Sequence, residues 1–139
     1  MQNNLAKLIQ SHRTQRHATD TGTRMHNKLQ HATYDTIVAH IQSCSGLAKY
    51  FTPDAQTEVP IAGFIDKKFI SRRIDRMHID THAKKIYILD YKTDTTRENN
   101  RTKYIYQLRE YRTLIQMIYP DFDVETAILW THDWTLEKI

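Results

Sequence analysis

Hydrophobic positions near the start of the chain recur at helical spacing. Met25, Leu29 and Ala32 recur at spacings of three and four, and so, after a gap, do Ile37, Val38 and Ile41. The spacing predicts a helix from about Thr23 to Gln42, with Asp20-Thr21-Gly22-Thr23 supplying capping residue types before it. A shorter helix is expected around Leu47 to Phe51, stopping ahead of Pro53. The pattern then turns to strands. Glu58 to Ile65 and Phe69 to Ile79 are the first two, with Asp66-Lys67-Lys68 as the turn between them. Lys84 to Lys92 is the third, after a turn at Asp80 to Ala83. Thr93 to Arg101 is polar and reads as a loop. Lys103 to Ile118 is the clearest helix, since Tyr104, Leu108, Tyr111, Ile115 and Ile118 lie on one stripe, and Pro120 ends it. Val124 to Thr131 reads as a fourth strand and Thr135 to Ile139 as a short edge strand.

This order is a helix, three strands in hairpin succession, a crossover helix and a further strand. It predicts an α/β fold, a mixed sheet of about four to five strands with helices on its faces. With three Gly and three Pro, elements should be long and loops few. No apolar run approaches the roughly 20 residues of a membrane helix, so no membrane partner is expected.

Composition narrows the function classes. At 139 residues and 16.5 kDa the chain has the size of one domain. The division read from the sequence is an N-terminal arm or tether at 1–20 and one domain at 21–139. The net charge is +4 and the pI near 9.2, a balance suited to polyanions, because each phosphate contact releases counterions. Cys44 is the only cysteine, which excludes an internal disulfide and fits a reducing compartment; it reads as an inert buried thiol. The first twenty residues lack the apolar segment of a secretory signal. Met1 to Thr19 carries Lys7, Arg13 and Arg16 and no acid, but is too polar and too poor in Ser to favour a transit peptide. A cytoplasmic protein is expected.

The chemistry concentrates at Asp90-Tyr91-Lys92, which ends an apolar strand. Strand alternation puts Asp90 and Lys92 on one face with Ile86 and Ile88, and Tyr91 on the other. A carboxylate there can hold a hard divalent cation. An ammonium two residues on can orient a water or offset charge on a phosphate. An exposed strand end with an ordinary ion pair fits the spacing equally well. One hairpin earlier, Asp75 in Arg73-Ile74-Asp75-Arg76 can lie beside Asp90, and two like charges at close range call for a cation. A rival trio, His78, Asp80 and His82, alternates along one strand direction but falls on the expected turn without a second ligand cluster. No Walker A sequence, Rossmann glycines or Ser-His-Asp signature is present.

Asp75, Asp90 and Lys92 resemble the PD-(D/E)XK nuclease pattern, and the match continues outward. Gly22-Thr23-Arg24-Met25-His26 looks like the G-x-x-x-H motif that opens the nuclease domain of the RecB/AddA family. Glu58-Val59-Pro60 looks like its E-x-P segment, and Gln107-Leu108-Arg109-Glu110-Tyr111 like its Q-x-x-x-Y helix. Tyr119-Pro120 and Ala127-Ile128-Leu129-Trp130-Thr131 resemble the C-terminal end of the AddA branch from alphaproteobacteria. The resemblance runs from about Thr21 to Ile139. It implies a restriction-endonuclease-like fold and a metal site of His26, Asp75, Asp90 and the main-chain carbonyl of Tyr91. It further implies Mg²⁺ (or Mn²⁺) as cofactor and Lys92 as the catalytic lysine beside Asp75 and Asp90.

Glu58 is implied as a support for the site, and Gln107 and Tyr111 as lining the cleft or touching DNA. The implied activity is hydrolysis of DNA, single-stranded DNA above all, during double-strand-break repair and recombination in a bacterial cytoplasm. The implied partner is a separate or formerly fused helicase subunit of the AddA/AddB kind, for which Leu5, Leu8 and Ile9 offer a docking face. Lys67, Lys68, Arg72, Arg73, Arg76, Arg97, Arg101 and Arg109 are the candidates to follow a phosphate backbone. Arg72 stands where the family has a glycine, so it either strains the strand or adds a phosphate contact. The alternative function is a catalytically impaired DNA-binding or assembly module of a helicase–nuclease complex.

Overall fold

The computed structural model describes residues 22–139; the expected arm at 1–20, its docking face and the capping positions Asp20 and Thr21 lie outside them. Helix α1 occupies 22–30 and α2 Val38–Ser43, followed by a 3-10 turn at Ala48–Tyr50. Strands β1 (Gln56–Ile65), β2 (Lys68–Asp80) and β3 (Lys85–Lys92) come next. A second 3-10 turn (Arg97–Asn99) leads into α3 (Arg101–Ile118), then β4 (Asp123–Trp130) and β5 (Thr135–Lys138). The five strands form one sheet in sequence order, antiparallel throughout except for the parallel pair β3–β4 that α3 joins. The chain is therefore α/β with a five-stranded mixed sheet flanked by helices, as the hydrophobic pattern predicts.

The expected helix from Thr23 to Gln42 is broken. Residues 31–37 form turns instead, and the cause is local hydrogen bonding. Thr33 N–H donates to Thr36 Oγ1 at 2.8 Å and the Thr36 hydroxyl donates to the Thr33 carbonyl at 2.9 Å, so Thr33 N–H is not given to the Leu29 carbonyl. That carbonyl and the Ala32 carbonyl accept instead from Arg76 Nη2, both at 2.9 Å.

Each sheet face carries its own core. On one face α3 packs Leu108, Tyr111, Leu114 and Ile115 against Ile61, Ile70, Ile74, Met77, Ile86, Ile88 and Ile128. Gly63 permits the close approach, because a Cβ there would sit 2.8 Å from Leu114 Cδ2. On the other face Leu29, Ile37, Ile41, Leu47, Tyr50 and Phe51 cover Leu89, Tyr91, Ala127 and Leu129; Cys44 is buried among them. The β1–β2 hairpin turns on Asp66 and Lys67 alone, with φ of 49° and 65°, and Lys68 already pairs with Ile65. Among the described residues no helix is long and apolar enough to cross a membrane.

His78 and Asp80 lie in β2 rather than on the turn, and they take separate partners. His78 Nδ1 meets the Lys49 carbonyl at 2.9 Å while its ring stacks on Tyr87, and Asp80 Oδ1 accepts from Ala83 N–H at 2.9 Å. The rival metal trio is not assembled.

Candidate metal centre

Strand alternation delivers Asp90 and Lys92 to the α3 face of β3 behind Ile86 and Ile88, while Leu89 and Tyr91 enter the opposite core. Asp75 reaches the same face through an irregularity in β2. Ile70 and Ile74 point toward α3, and so does Met77, so the alternation skips a step between Ile74 and Met77. The β1–β2 ladder is interrupted there: Thr57 pairs with Arg76 and Val59 with Ile74, leaving Glu58 and Asp75 opposite each other but outside it. Glu58 has φ 53°, a left-handed conformation unusual in a strand. The break brings Asp75 alongside Asp90 and turns Arg76 to the other face.

Asp90 is 2% exposed. Its Oδ2 lies 2.8 Å from Lys92 Nζ, yet the angle is not that of a hydrogen bond, and Oδ2 has no hydrogen-bond partner. Burial pushes the Asp90 carboxyl up to about 7 against the pull of Lys92, and the neighbouring Asp75 charge adds to the rise. Asp75, 9% exposed, behaves oppositely. Burial alone would raise it, but His26 Nε2 at 3.2 Å and the Tyr91 N–H at 2.8 Å hold it below the usual carboxylate range.

His26 projects from α1 with Nδ1 on the Gly22 carbonyl at 2.8 Å, one helical turn back. That bond aims Nε2 at Asp75, and the hydrogen bond to Asp75 raises the imidazole to about 9 despite its partial burial. Gly22 thus acts through its carbonyl; a Cβ there would meet only Thr93 Oγ1 at an ordinary 3.5 Å. The Tyr91 side chain turns away, its hydroxyl accepting from Arg76 Nε at 2.8 Å. N–H and C=O of one strand residue point to the same neighbour, so the Tyr91 carbonyl faces β2 beside Asp75, past the last rung Arg76↔Leu89.

Lys92 Nζ is held by three groups: Asp90, Gln107 Oε1 at 3.3 Å and the face of Tyr104 at 4.2 Å. Gln107 Nε2 donates to the Tyr111 hydroxyl at 2.7 Å, which donates to the Arg73 carbonyl at 3.2 Å. The stripe on α3 is therefore part core, through Leu108 and Tyr111, and part a hydrogen-bonded chain reaching Lys92.

Two clefts flank the buried carboxylates. One of about 720 Å³ is lined by Arg72, Lys92, Lys103, Tyr106, Gln107 and Glu110; the other, of about 520 Å³, by His26, Asn27, Glu58, Arg73 and Asp75. Arg72 shows no left-handed backbone and pairs in register with Ile61, so its side chain adds a cation to the first cleft without strain, Nε lying 3.2 Å from Glu110. Arg73 is largely exposed, 3.6 Å from Glu58. Lys67, Lys68 and Arg109 are exposed. Arg97 and Arg101 reach Asp133 and Glu137, each at 2.5 Å, which neutralises part of their charge.

Arg76 is a correction. Expected among the backbone-following cations, it is 3% exposed and satisfied internally: Nε on Tyr91, Nη2 on Leu29 and Ala32, Nη1 on the Tyr50 carbonyl at 3.4 Å. Its guanidinium lies 4.2 Å over Phe51. It pins the end of the helix that carries His26. Nothing in the sequence separates it from Arg73; only the break in alternation beside it does.

Hard oxygens from Asp75, Asp90 and the Tyr91 carbonyl, with the His26 imidazole, are the donor types that Mg²⁺ or Mn²⁺ takes, with Asp90 Oδ2 now facing Lys92 Nζ. Among the described residues no three His, Cys, Asp or Glu side chains converge as ready metal ligands; His26 pairs with Asp75, and Lys92 with Asp90. No family model matches this chain, and no curated protein matches it.

Proposed function

We propose that this chain is a metal-dependent deoxyribonuclease of the PD-(D/E)XK type, hydrolysing phosphodiester bonds of single-stranded DNA with Mg²⁺, or with Mn²⁺ in its stead. The observation that carries the reading is Asp90, a buried carboxylate set beside a second carboxylate, Asp75, and a lysine, Lys92. His26, Asp75, Asp90 and the Tyr91 carbonyl would hold the cation, which would polarise a phosphate oxygen and lower the pKa of a water. Lys92, fixed by Gln107 and Tyr104, is positioned to orient a water and to offset charge on phosphate. Gln107 and Tyr111 act through Lys92 as positioning residues. Arg72 and Lys103 give the larger cleft the cations a phosphate backbone requires.

The order of motifs shared with the RecB/AddA family supports a role in double-strand-break repair in a bacterial cytoplasm. These 139 residues contain no Walker A lysine, so strand feeding would come from an ATP-driven helicase, whether a separate subunit or one fused to this domain. Incubating linear and circular single strands with and without Mg²⁺ tests the reading. Cleavage should need the metal, and Asp90→Ala or Lys92→Ala should slow it by about 100- to 1000-fold, equivalent to about 3–4 kcal/mol of barrier. Unimpaired cutting by a folded Asp90→Ala protein ends it.

One observation favours a second reading, a DNA-binding module without catalysis: His26 and Lys92 already neutralise the two carboxylates. Strand binding without Mg²⁺-dependent stabilisation or cleavage would select it.

A further inference from the structure

Phe64 and Phe69 face each other across the β1–β2 hairpin and are 65% and 59% exposed. Their rings meet edge to face at 5.5 Å. A cross-strand aromatic pair stabilises a hairpin by less than about 1 kcal/mol, which does not account for two phenyl rings left in water at its tip. Their surroundings give a better account. Val59, Ile61 and Ile65 of β1 and Ile70 of β2 pack toward the α3 core, so alternation turns Ala62, Phe64, Phe69, Ser71 and Arg73 to the opposite face. That face is open along the hairpin, since all five residues are exposed. Lys67 and Lys68 stand at its tip, and at its other end Arg73 enters the cleft shared by His26, Glu58 and Asp75.

We infer that this open face is a stacking platform for single-stranded nucleic acid, Phe64 and Phe69 taking bases while Lys67 and Arg73 follow the phosphates toward the His26–Asp75 cleft. Every base offers a π-face, so such a platform holds a strand without reading its sequence, and flanking cations make it an acceptor of polyanions rather than of an apolar peptide. Four residues separate Phe69 from Arg73, a run of about 14 Å along an extended strand. The rings therefore lie upstream or downstream of the cleavage point, not at it. The identity of the strand rests on the nuclease reading; the stacking does not.

The test compares binding of a fluorescent oligothymidylate with that of an abasic oligomer of equal length, in Ca²⁺, by anisotropy. The wild-type chain should prefer the thymidylate. Phe64→Leu/Phe69→Leu, which keeps apolar bulk but removes the π-faces, should weaken thymidylate binding by about fivefold or more per ring, leave abasic binding unchanged and so abolish the preference. Equal wild-type affinity for the two oligomers overturns the platform, as does a Leu variant that keeps the preference. Loss of self-association in the Leu variant with no change in DNA preference would instead make the face an interface between copies. Mg²⁺-dependent cutting by the wild type is scored separately: preference without cutting keeps the platform and removes the nuclease, and cutting without preference does the reverse.

Discussion

Two cations, the buried Arg76 and the partly buried Lys92, flank β3, one on each side of the sheet, and the chain surrounds them in opposite ways. Arg76 has no carboxylate within ion-pair distance among the described residues, and four of its donors end on neutral oxygens of Leu29, Ala32, Tyr50 and Tyr91. Lys92 is set against a carboxylate, Asp90, its Nζ 2.8 Å from the buried Oδ2, with Asp75 close by. A buried charge with its donors matched fixes architecture, because any rearrangement strands polar groups. A buried carboxylate that has one ammonium for a counter-ion and a second carboxylate beside it keeps its charge at a cost, which a divalent cation would relieve under the proposed reading. One side of the sheet here is closed on matched neutral partners and the other holds two carboxylates against two cations, and removing a residue from each should have different consequences.

The largest effect is expected at Arg76. Arg76→Ala takes a donor from the carbonyls of Leu29, Ala32 and Tyr50 and from the Tyr91 hydroxyl, and should cost about 3–5 kcal/mol in urea unfolding. Arg76→Lys should recover only part, since an ammonium lacks the planar fork that spans Leu29, Ala32 and Tyr91 together. A loss below about 1 kcal/mol would erase the distinction drawn here.

Asp90 should respond with the opposite sign. Its raised carboxyl means that the metal-free fold disfavours the charged form. Stability is therefore lost as pH climbs from the ordinary value of 3.8 through about 7. Asp90→Asn should stabilise the metal-free protein at pH 8 by about 1–2 kcal/mol while abolishing cleavage, the usual conflict between a reactive site and stability. A destabilised Asn variant would mean that Asp90 is structural.

His26 sharpens the comparison through pH. Its pKa is raised from 6.5 to about 9, chiefly by Asp75, so its contribution is full below pH 6.5 and lost as pH rises through 9. Solvent reaches a third of the side chain, so the decline should amount to about 1 kcal/mol. His26→Gln should flatten it in thermal melts across that window. Mg²⁺ binding below pH 9 should also release protons, measurable by calorimetry in buffers of different ionisation enthalpy.

The smallest effect lies at Glu58. Its left-handed φ of 53° favours glycine, so Glu58→Gly should raise stability by about 0.5–1 kcal/mol. A loss in denaturant melts would show that its side chain, 3.6 Å from Arg73, matters more than the backbone.

The fold was legible where periodicity is local. Every strand lies within two residues of its expected limits, and Asp90 and Lys92 share a face because alternation along β3 is regular. Legibility failed where a distant group intervenes. The helix expected to reach Gln42 breaks at residue 31, where Thr33 and Thr36 bond each other and Arg76, 44 residues away from Ala32, takes the Ala32 carbonyl. Arg76 and Arg73 look alike in sequence, yet the ladder break at Glu58 and Asp75 sends one into the core and leaves the other in water. The two exposed phenylalanines gave no signal either, since strand aromatics ordinarily read as core.

Whether Asp90 serves a divalent cation and strand cleavage, as proposed, is decided by one paired measurement. Cleavage of a labelled single strand in Mg²⁺ is followed for the wild-type chain and for Asp90→Asn, with thermal melts of both proteins in the same buffer at pH 8. The account predicts a variant that is at least as stable as wild type and at least about 100-fold slower. Equal rates from two folded proteins would contradict it.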